Sequence, residues 1–422
     1  MRTQIAYGRD GLILELPDDA DVLRPRFTPG FSEEAREIRK ALRTPINTPP
    51  LREMVHRGQK VVIVHTDVTR ATPNDRILPV ILSELEQSGI EPRHIKLLNG
   101  LGTHRKQTEA ELRMMLGEKI VNSYKCTQHD CFDEDQLITV GKMKSGNTLR
   151  LNLTYMEADI KILTGFIEPH FFAGFSGGPK AVLPALSGYE SVFINHGFQK
   201  IAHPSASWGI TVGNPIWEEM AEAAQMSRPD FLVNVSLNEK REITGVFAGD
   251  MMAAHAAGCD FVKDRSMVPV ERTYDIVVTS NSGYPLDQNL YQSVKGMSAA
   301  ARIVRDGGAI IVAAACEDGL PDHGSYAKLL KEGGSPAGVL EMVSRAEFES
   351  PDQWQVQIQA QIQNKAEVFI YSDGLTSEQI IDALCIPCRN IEELMYELTH
   401  IKGRRICVLP DGPQVIPYLI ED

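Results

Sequence analysis

Apolar residues in this chain come in short dense runs, each followed by a polar loop and then a longer amphipathic stretch, and the cycle repeats. Lys60–His65 is a β-branched run and predicts a buried strand. The loop 66–72 follows, and Pro73 then opens a helix through Leu85 with Thr72 as its cap. Ile95–Leu98 is a second strand and Asn99–Arg105 its loop, while Thr108 and Glu111 have the spacing of a capping box for the next helix. Ala158–Leu163 is a third strand. Around 264–274 the cycle restarts: strands are predicted at Tyr274–Thr279, Gly308–Ala315, Glu367–Tyr371 and Arg404–Leu409, with a helix over Leu286–Arg305 and Asp287 near its start. Near the N-terminus, Gln4–Leu16 reads as a hairpin turning at Gly8–Gly11. Strands alternating with helices define an α/β fold with parallel sheets.

At 422 residues the chain is long for a single core, so two α/β domains are expected. A larger N-terminal catalytic and cofactor domain would span 1–268 and a smaller C-terminal domain 272–409, with the active site between them. A proline-marked tail, 410–422, could return to the first. The formal charge of −13 gives no basic excess for a general nucleic-acid binder. The apolar run Ala309–Cys316 is too short to span a bilayer, and no charged-then-apolar leader pattern opens the chain. A cytoplasmic location, without membrane or nucleic-acid partners, is the expectation. The seven cysteines are scattered; Cys385 and Cys388 form a lone CxxC without the second ligand pair that a zinc site needs, and ordinary packing is the expected role.

The candidate chemistry lies where the third strand ends. Gly165–Pro184 packs glycines around Glu168, His170 and Lys180, and His196 follows shortly after. Such a loop lets backbone approach a ligand closely. It is not a P-loop, because Pro179 and Ala181 flank Lys180 where Gly and Ser or Thr are required, and no GxGxxG turn occurs at the predicted strand–helix junctions. Asp67 and Arg70, His104, and His170 with Lys180 all fall on loops at the carboxyl ends of predicted strands, the edge where open α/β sheets bind ligands. Two imidazoles in one site suit two-sided proton transfer near neutral pH.

Asp67-Val68-Thr69-Arg70, Gly102-Thr103-His104-Arg105, the Gly165–Pro184 segment, Asn195-His196-Gly197 and the stretch Tyr284–Gly296 together resemble the nickel-pincer lactate racemase family, in order and approximate spacing across essentially the whole chain. The resemblance implies a racemase or epimerase acting at C2 of a 2-hydroxy acid, lactate by default, by hydride transfer. It implies a cofactor, the pyridinium-3-thioamide-5-thiocarboxylic acid mononucleotide, covalently held by Lys180 and carrying Ni(II), with His196 as the protein's metal ligand and separate cofactor-building enzymes as partners. His104 and His170 would be the acid/base pair. Arg70 and Lys295 would bind the substrate carboxylate with help from Gln292, and Asp67 would anchor the site. Gln292 and Lys295 lie three apart on a predicted second-domain helix and would face the same way, so domain closure would complete the site. Phe171, Phe172 and Tyr291 are candidates for the wall that sets substituent size. Ala185 stands where the family pattern has glycine. His203, near the metal segment, could brace it, whereas His56, His65, His94, His129, His255, His323 and His400 have no partner pattern.

Three other readings stay open at this point. The same chemistry could act on malate, an aryl-lactate or a sugar acid. The histidines and Asp67 could hold zinc in a metal hydrolase, or the chain could bind the nucleotide without turning anything over.

Overall fold

A computed structural model describes residues 1–321 and 324–420; His323 lies outside them. Two six-stranded sheets organise the chain. In the first, the order is Ile243–Gly249, Phe231–Leu237, Ile160–Phe166, Val61–Thr66, Ile95–Gly100, Lys125–Gln128. All neighbours are parallel except the antiparallel pair at the Ile243–Gly249 edge. From Val61–Thr66 the chain adds strands to one side, then returns to add Ile160–Phe166 on the other. The reversal opens a crevice at the carboxyl ends of these two strands, where α/β sheets hold ligands.

The second sheet runs Ile386–Pro387, Glu367–Tyr371, Val304–Ala313, Tyr274–Ser280, Ile406–Leu409, Asp21–Val22, all parallel. The first residues, assigned above to the N-terminal domain, therefore pack elsewhere. The hairpin of Arg2–Ile5 with Leu12–Glu15 buries Ile5 and Leu14 with Ile276, Val278 and Ile311 of the second sheet. Tethering this hairpin to the far sheet completes a core face that would otherwise be open. The tail strand Ile416–Leu419 pairs in parallel with Met267–Val270.

Alternation along the buried strands sends side chains to both faces. Val61, Ile63, Leu97 and Ile162 enter the core beneath Ile38, Ile77 and Ile81 of the helices Glu34–Arg43 and Asn74–Gln87. Val62, Val64, Leu98 and Leu163 enter a core shared with Val294, Met297 and Ile310 of the second unit. One continuous apolar layer thus joins the units beneath the crevice.

Several boundaries differ from expectation. Pro73, not Thr72, caps the helix Asn74–Gln87, because Thr72 and Pro73 finish the loop. The second-unit helix starts at Leu290 and ends at Ala301, since Asn289 accepts the Gln292 N–H and the chain before it is occupied by a loop. The capping box of Thr108 and Glu111 forms as predicted. The glycine-rich segment holds a two-residue ladder, Pro169–His170 with Gly174–Phe175, and a 3₁₀ turn over Gly178–Ala181. Gly174 has φ of +78°, and a Cβ there would lie 2.2 Å from the Ile210 carbonyl oxygen, so only glycine closes this turn.

Candidate active site

The crevice encloses about 980 Å³ of non-protein space, its mouth included, and gathers Asp67, Arg70, His104, His170, Lys180, His196, Tyr291, Gln292 and Lys295 along its lining. Loops after two strands of the first sheet supply Asp67, Arg70 and His104, the segment after a third supplies His170, Lys180 and, at the end of a short helix, His196, and the helix Leu290–Ala301 brings the last three from the second unit. All the residues singled out from sequence for one site therefore do converge.

His104 Nδ1 donates to Asp67 Oδ2 at 2.8 Å. The other oxygen, Oδ1, accepts from the Thr69 N–H at 2.7 Å and the Thr69 hydroxyl at 2.6 Å. Burial alone would raise the Asp67 pKa, but His104, with Arg70 and Thr69, holds it well below the usual carboxylate range. With Nδ1 committed as a donor, a neutral His104 presents the Nε2 lone pair.

His170 is arranged the opposite way. Its Nδ1 accepts from the Ala173 N–H at 3.2 Å, so a neutral ring carries its proton on Nε2, which lies 3.4 Å from Lys180 Nζ. Burial first, then the charges of Lys180, Lys295 and Arg70, push the His170 pKa well below that of a free imidazole. Lys180 is pushed well below an ordinary lysine by burial and then by the cations Arg70 and Lys295, which favours its neutral, nucleophilic amine.

His196 caps the short helix Tyr189–Asn195. Its ring sits edge-on to Phe172 and Trp354, with centroids 5.0 and 5.2 Å away. Burial, then Lys180, lowers its pKa to about 3, so the imidazole is neutral. Its Nδ1 is buried without a hydrogen-bond partner, as are Arg70 Nη1 and Lys295 Nζ. Buried polar atoms are normally satisfied, and three such atoms around one cavity mark groups with bonds left to make. Lys295 is lowered to about 7 by burial and then by Arg70.

Phe172 also packs edge-on against His170, at 4.6 Å, and Phe171 lies 4.7 Å from Phe172. The methyl of Ala185 faces Gly100, where an added Cβ would come within 2.9 Å of it, so the alanine fits because its neighbour has no side chain. His203 is exposed, and its ring Nδ1 accepts the Ser205 N–H. Cys385 and Cys388 are buried free thiols. Among the described residues no group of three His, Cys, Asp or Glu converges to hold a metal by protein ligands alone.

Sequence reasoning missed Trp354 and Gln355, which line the crevice from the helix Gln353–Lys365. Trp354 Nε1 donates to the Tyr291 hydroxyl at 3.0 Å and Gln355 Nε2 donates to the Tyr291 carbonyl. The repeated glutamines of this helix (Gln353, Gln355, Gln357 and Gln359, all buried) were the available signal, since buried amides have bonds to make.

Fold and site together define a two-unit α/β enzyme with a lysine- and histidine-lined cleft at a sheet's switch point, built to act on a small anion. The comparisons are specific. Residues 7–209 match the family model for the lactate racemase N-terminal domain and 270–417 that for the lactate racemase C-terminal domain. The chain is 36% identical over 422 residues to the lactate racemase of Thermoanaerobacterium thermosaccharolyticum, covering 98% of each. It is 37% identical over 386 residues to that of Lactiplantibacillus plantarum, covering 91% of each. The structure of the lactate racemase apoprotein from Thermoanaerobacterium thermosaccharolyticum superposes with a TM-score of 0.90 at 35% identity and full coverage of both chains. A Thermotoga maritima protein shares the fold, with a TM-score of 0.68 at 17% identity, over 92% of this chain and 98% of its own. The chain belongs to the lactate racemase family and is an isomerase of the racemase type. No helix among the described residues is long and apolar enough to cross a membrane.

Proposed function

We propose that the protein racemises a short 2-hydroxy acid, lactate in the first instance, with a nickel-pincer pyridinium nucleotide bound through Lys180. The observation that carries the reading is the convergence of a depressed, buried lysine amine, a neutral imidazole with an unpartnered Nδ1 and an oppositely polarised His104/His170 pair in one cleft.

The residues suit the group. Lys180, whose pKa burial and the neighbouring cations lower, is a competent nucleophile for a covalent link. His196, a neutral imidazole, would offer one ring nitrogen, as fits a metal whose other donors come from the cofactor, and soft sulfur with imidazole suits Ni(II). When bound, the group would supply an acceptor and donor of hydride at C2, avoiding removal of a very weakly acidic C–H proton.

The chain's own residues then bind and move protons. Arg70 and Lys295 would take the substrate carboxylate through their unpartnered N–H groups. The lone pair of His104 Nε2 would take the hydroxyl proton, and the imidazolium so formed is stabilised by Asp67. His170 would be the acid on the opposite face, giving its Nε2 proton to oxygen from the imidazolium form and being left as a neutral ring. Conversion of the other enantiomer exchanges these roles. Phe171, Phe172, Tyr291 and Trp354 narrow the cleft, which favours a small C2 substituent over an aryl-lactate or a sugar acid. A hydrolytic zinc centre finds no set of three protein ligands among the described residues.

Intact-mass spectrometry of the protein co-produced with cofactor-building enzymes tests the reading. An adduct on the wild type that is absent from Lys180→Ala is expected. An unmodified wild type, beside a relative modified by the same enzymes, would overturn it.

A further inference from the structure

A second buried carboxylate faces the cleft's cations and has no part in the proton transfers above. Glu168 is 3% exposed and sits between the strand Ile160–Phe166 and the Pro169–His170 ladder. Its backbone is pinned: its N–H donates to Ser176 Oγ at 3.0 Å and its carbonyl accepts the Ser176 N–H at 2.9 Å. Its two oxygens look in different directions. Oε2 accepts from Gln414 Nε2 at 2.9 Å, and Gln414 ends the 3₁₀ turn that leads into the tail strand Ile416–Leu419. Oε1 lies 3.9 Å from Arg70 Nη1, an ion pair without a hydrogen bond.

Glu168 is also the shared counter-charge of the site. Its charge favours the protonated forms of Lys180 and Lys295 from within the cleft and of Arg241 from behind it, where Arg241 donates to the Ser282 carbonyl at 2.9 Å. Asp67 is already committed to His104 and Thr69. Glu168 is therefore the carboxylate left to steer Arg70, and it cannot turn away without giving up Gln414. A buried carboxylate costs several kcal/mol to desolvate unless it is paired, so this side chain is held by its neighbours as much as it holds them.

We propose that Glu168 is a positioning residue: anchored by Gln414, its carboxylate sets the Arg70 guanidinium for the substrate's carboxylate and couples seating of the C-terminal tail to anion binding. This rests on the reading of Arg70 as a carboxylate ligand.

The test uses holoprotein made with the cofactor-building enzymes, with Glu168→Gln, Glu168→Asp, Gln414→Met and the Glu168→Gln/Gln414→Met pair. Readouts are KM and kcat for lactate in both directions, and the Kd of lactate by calorimetry. The expected result is a rise in KM and Kd of about tenfold for Glu168→Gln with a smaller change in kcat. Gln414→Met should reproduce part of that rise, Glu168→Asp should recover part of the loss, and the double variant should add little to Glu168→Gln because both act on one contact. Should Glu168→Gln fail to fold, Gln414→Met and Glu168→Asp carry the same KM and Kd comparison. Wild-type KM and Kd in the variants, or effects that fall on kcat and melting temperature alone, would overturn the inference while leaving the racemase reading standing. A wild type that neither binds nor racemises lactate removes that reading and the inference with it.

Discussion

Replacing Asp67 by Asn should disable His104 without emptying the site. In the native loop Asp67 Oδ1 holds both the N–H and hydroxyl of Thr69, at 2.7 and 2.6 Å, so an amide at this position would keep its oxygen there. Its NH₂ would then face His104 Nδ1, which now accepts at 2.8 Å what it formerly donated. The imidazole must change tautomer and present Nε2–H to the cleft, so both histidines become donors and the base is lost. The forfeited interaction is a charge-assisted hydrogen bond to a buried carboxylate, worth about 1.5–3 kcal/mol. If it is fully expressed in the transition state, kcat falls about 10- to 150-fold. The assay is the initial rate from each pure enantiomer of lactate, followed by chiral separation, on protein whose Lys180 adduct has been verified by mass. A kcat within about threefold of wild type, with an unshifted pH profile, would refute the assignment of His104 as an Asp67-oriented base.

Three further outcomes are expected. Lys295 has a folded-state pKa of about 7, below that of a free lysine, so its cation is present below that pH and is lost as pH rises through it; KM for lactate should climb between about pH 7 and pH 9 in the wild type and be uniformly high and flat in Lys295→Met, whereas a flat wild-type KM would contradict the role. Gly174→Ala should destabilise the fold by about 2–4 kcal/mol in urea unfolding, combining a left-handed backbone with a clash on the Ile210 carbonyl; an unchanged midpoint would show that the turn relaxes freely. Trp354→Phe removes the N–H that holds the Tyr291 hydroxyl at 3.0 Å and thins the wall beside His196, so discrimination against larger 2-hydroxy acids should weaken; unchanged relative kcat/KM across a substrate panel would exclude the wall.

Local signals carried much of this architecture. Short apolar runs ending in loops placed Asp67, Arg70, His104 and His170 on one edge, because parallel strands put all their carboxyl ends together. Helix periodicity put Gln292 and Lys295 on one face, and that face does line the cleft. What escaped depends on contacts far apart in the chain. Trp354 reaches Tyr291 across 63 positions and Gln414 reaches Glu168 across 246, and no local pattern names either partner. The N-terminal hairpin reads correctly as a hairpin, yet its partner sheet lies more than half the chain away. The start of the helix at Leu290 was missed because Leu286 and Asp287 suit a helix locally, while Asp287 instead accepts the Gly8 and Ala315 N–H groups.

The most direct test follows the C2 hydrogen itself. Holoprotein is supplied with L-lactate deuterated at C2 in ordinary water, and the D-lactate formed is separated and weighed by mass spectrometry. Hydride transfer with His104 and His170 confined to the hydroxyl proton predicts D-lactate that retains deuterium. D-lactate that has lost its deuterium to water would contradict the account, because a proton abstracted from carbon would then be the route.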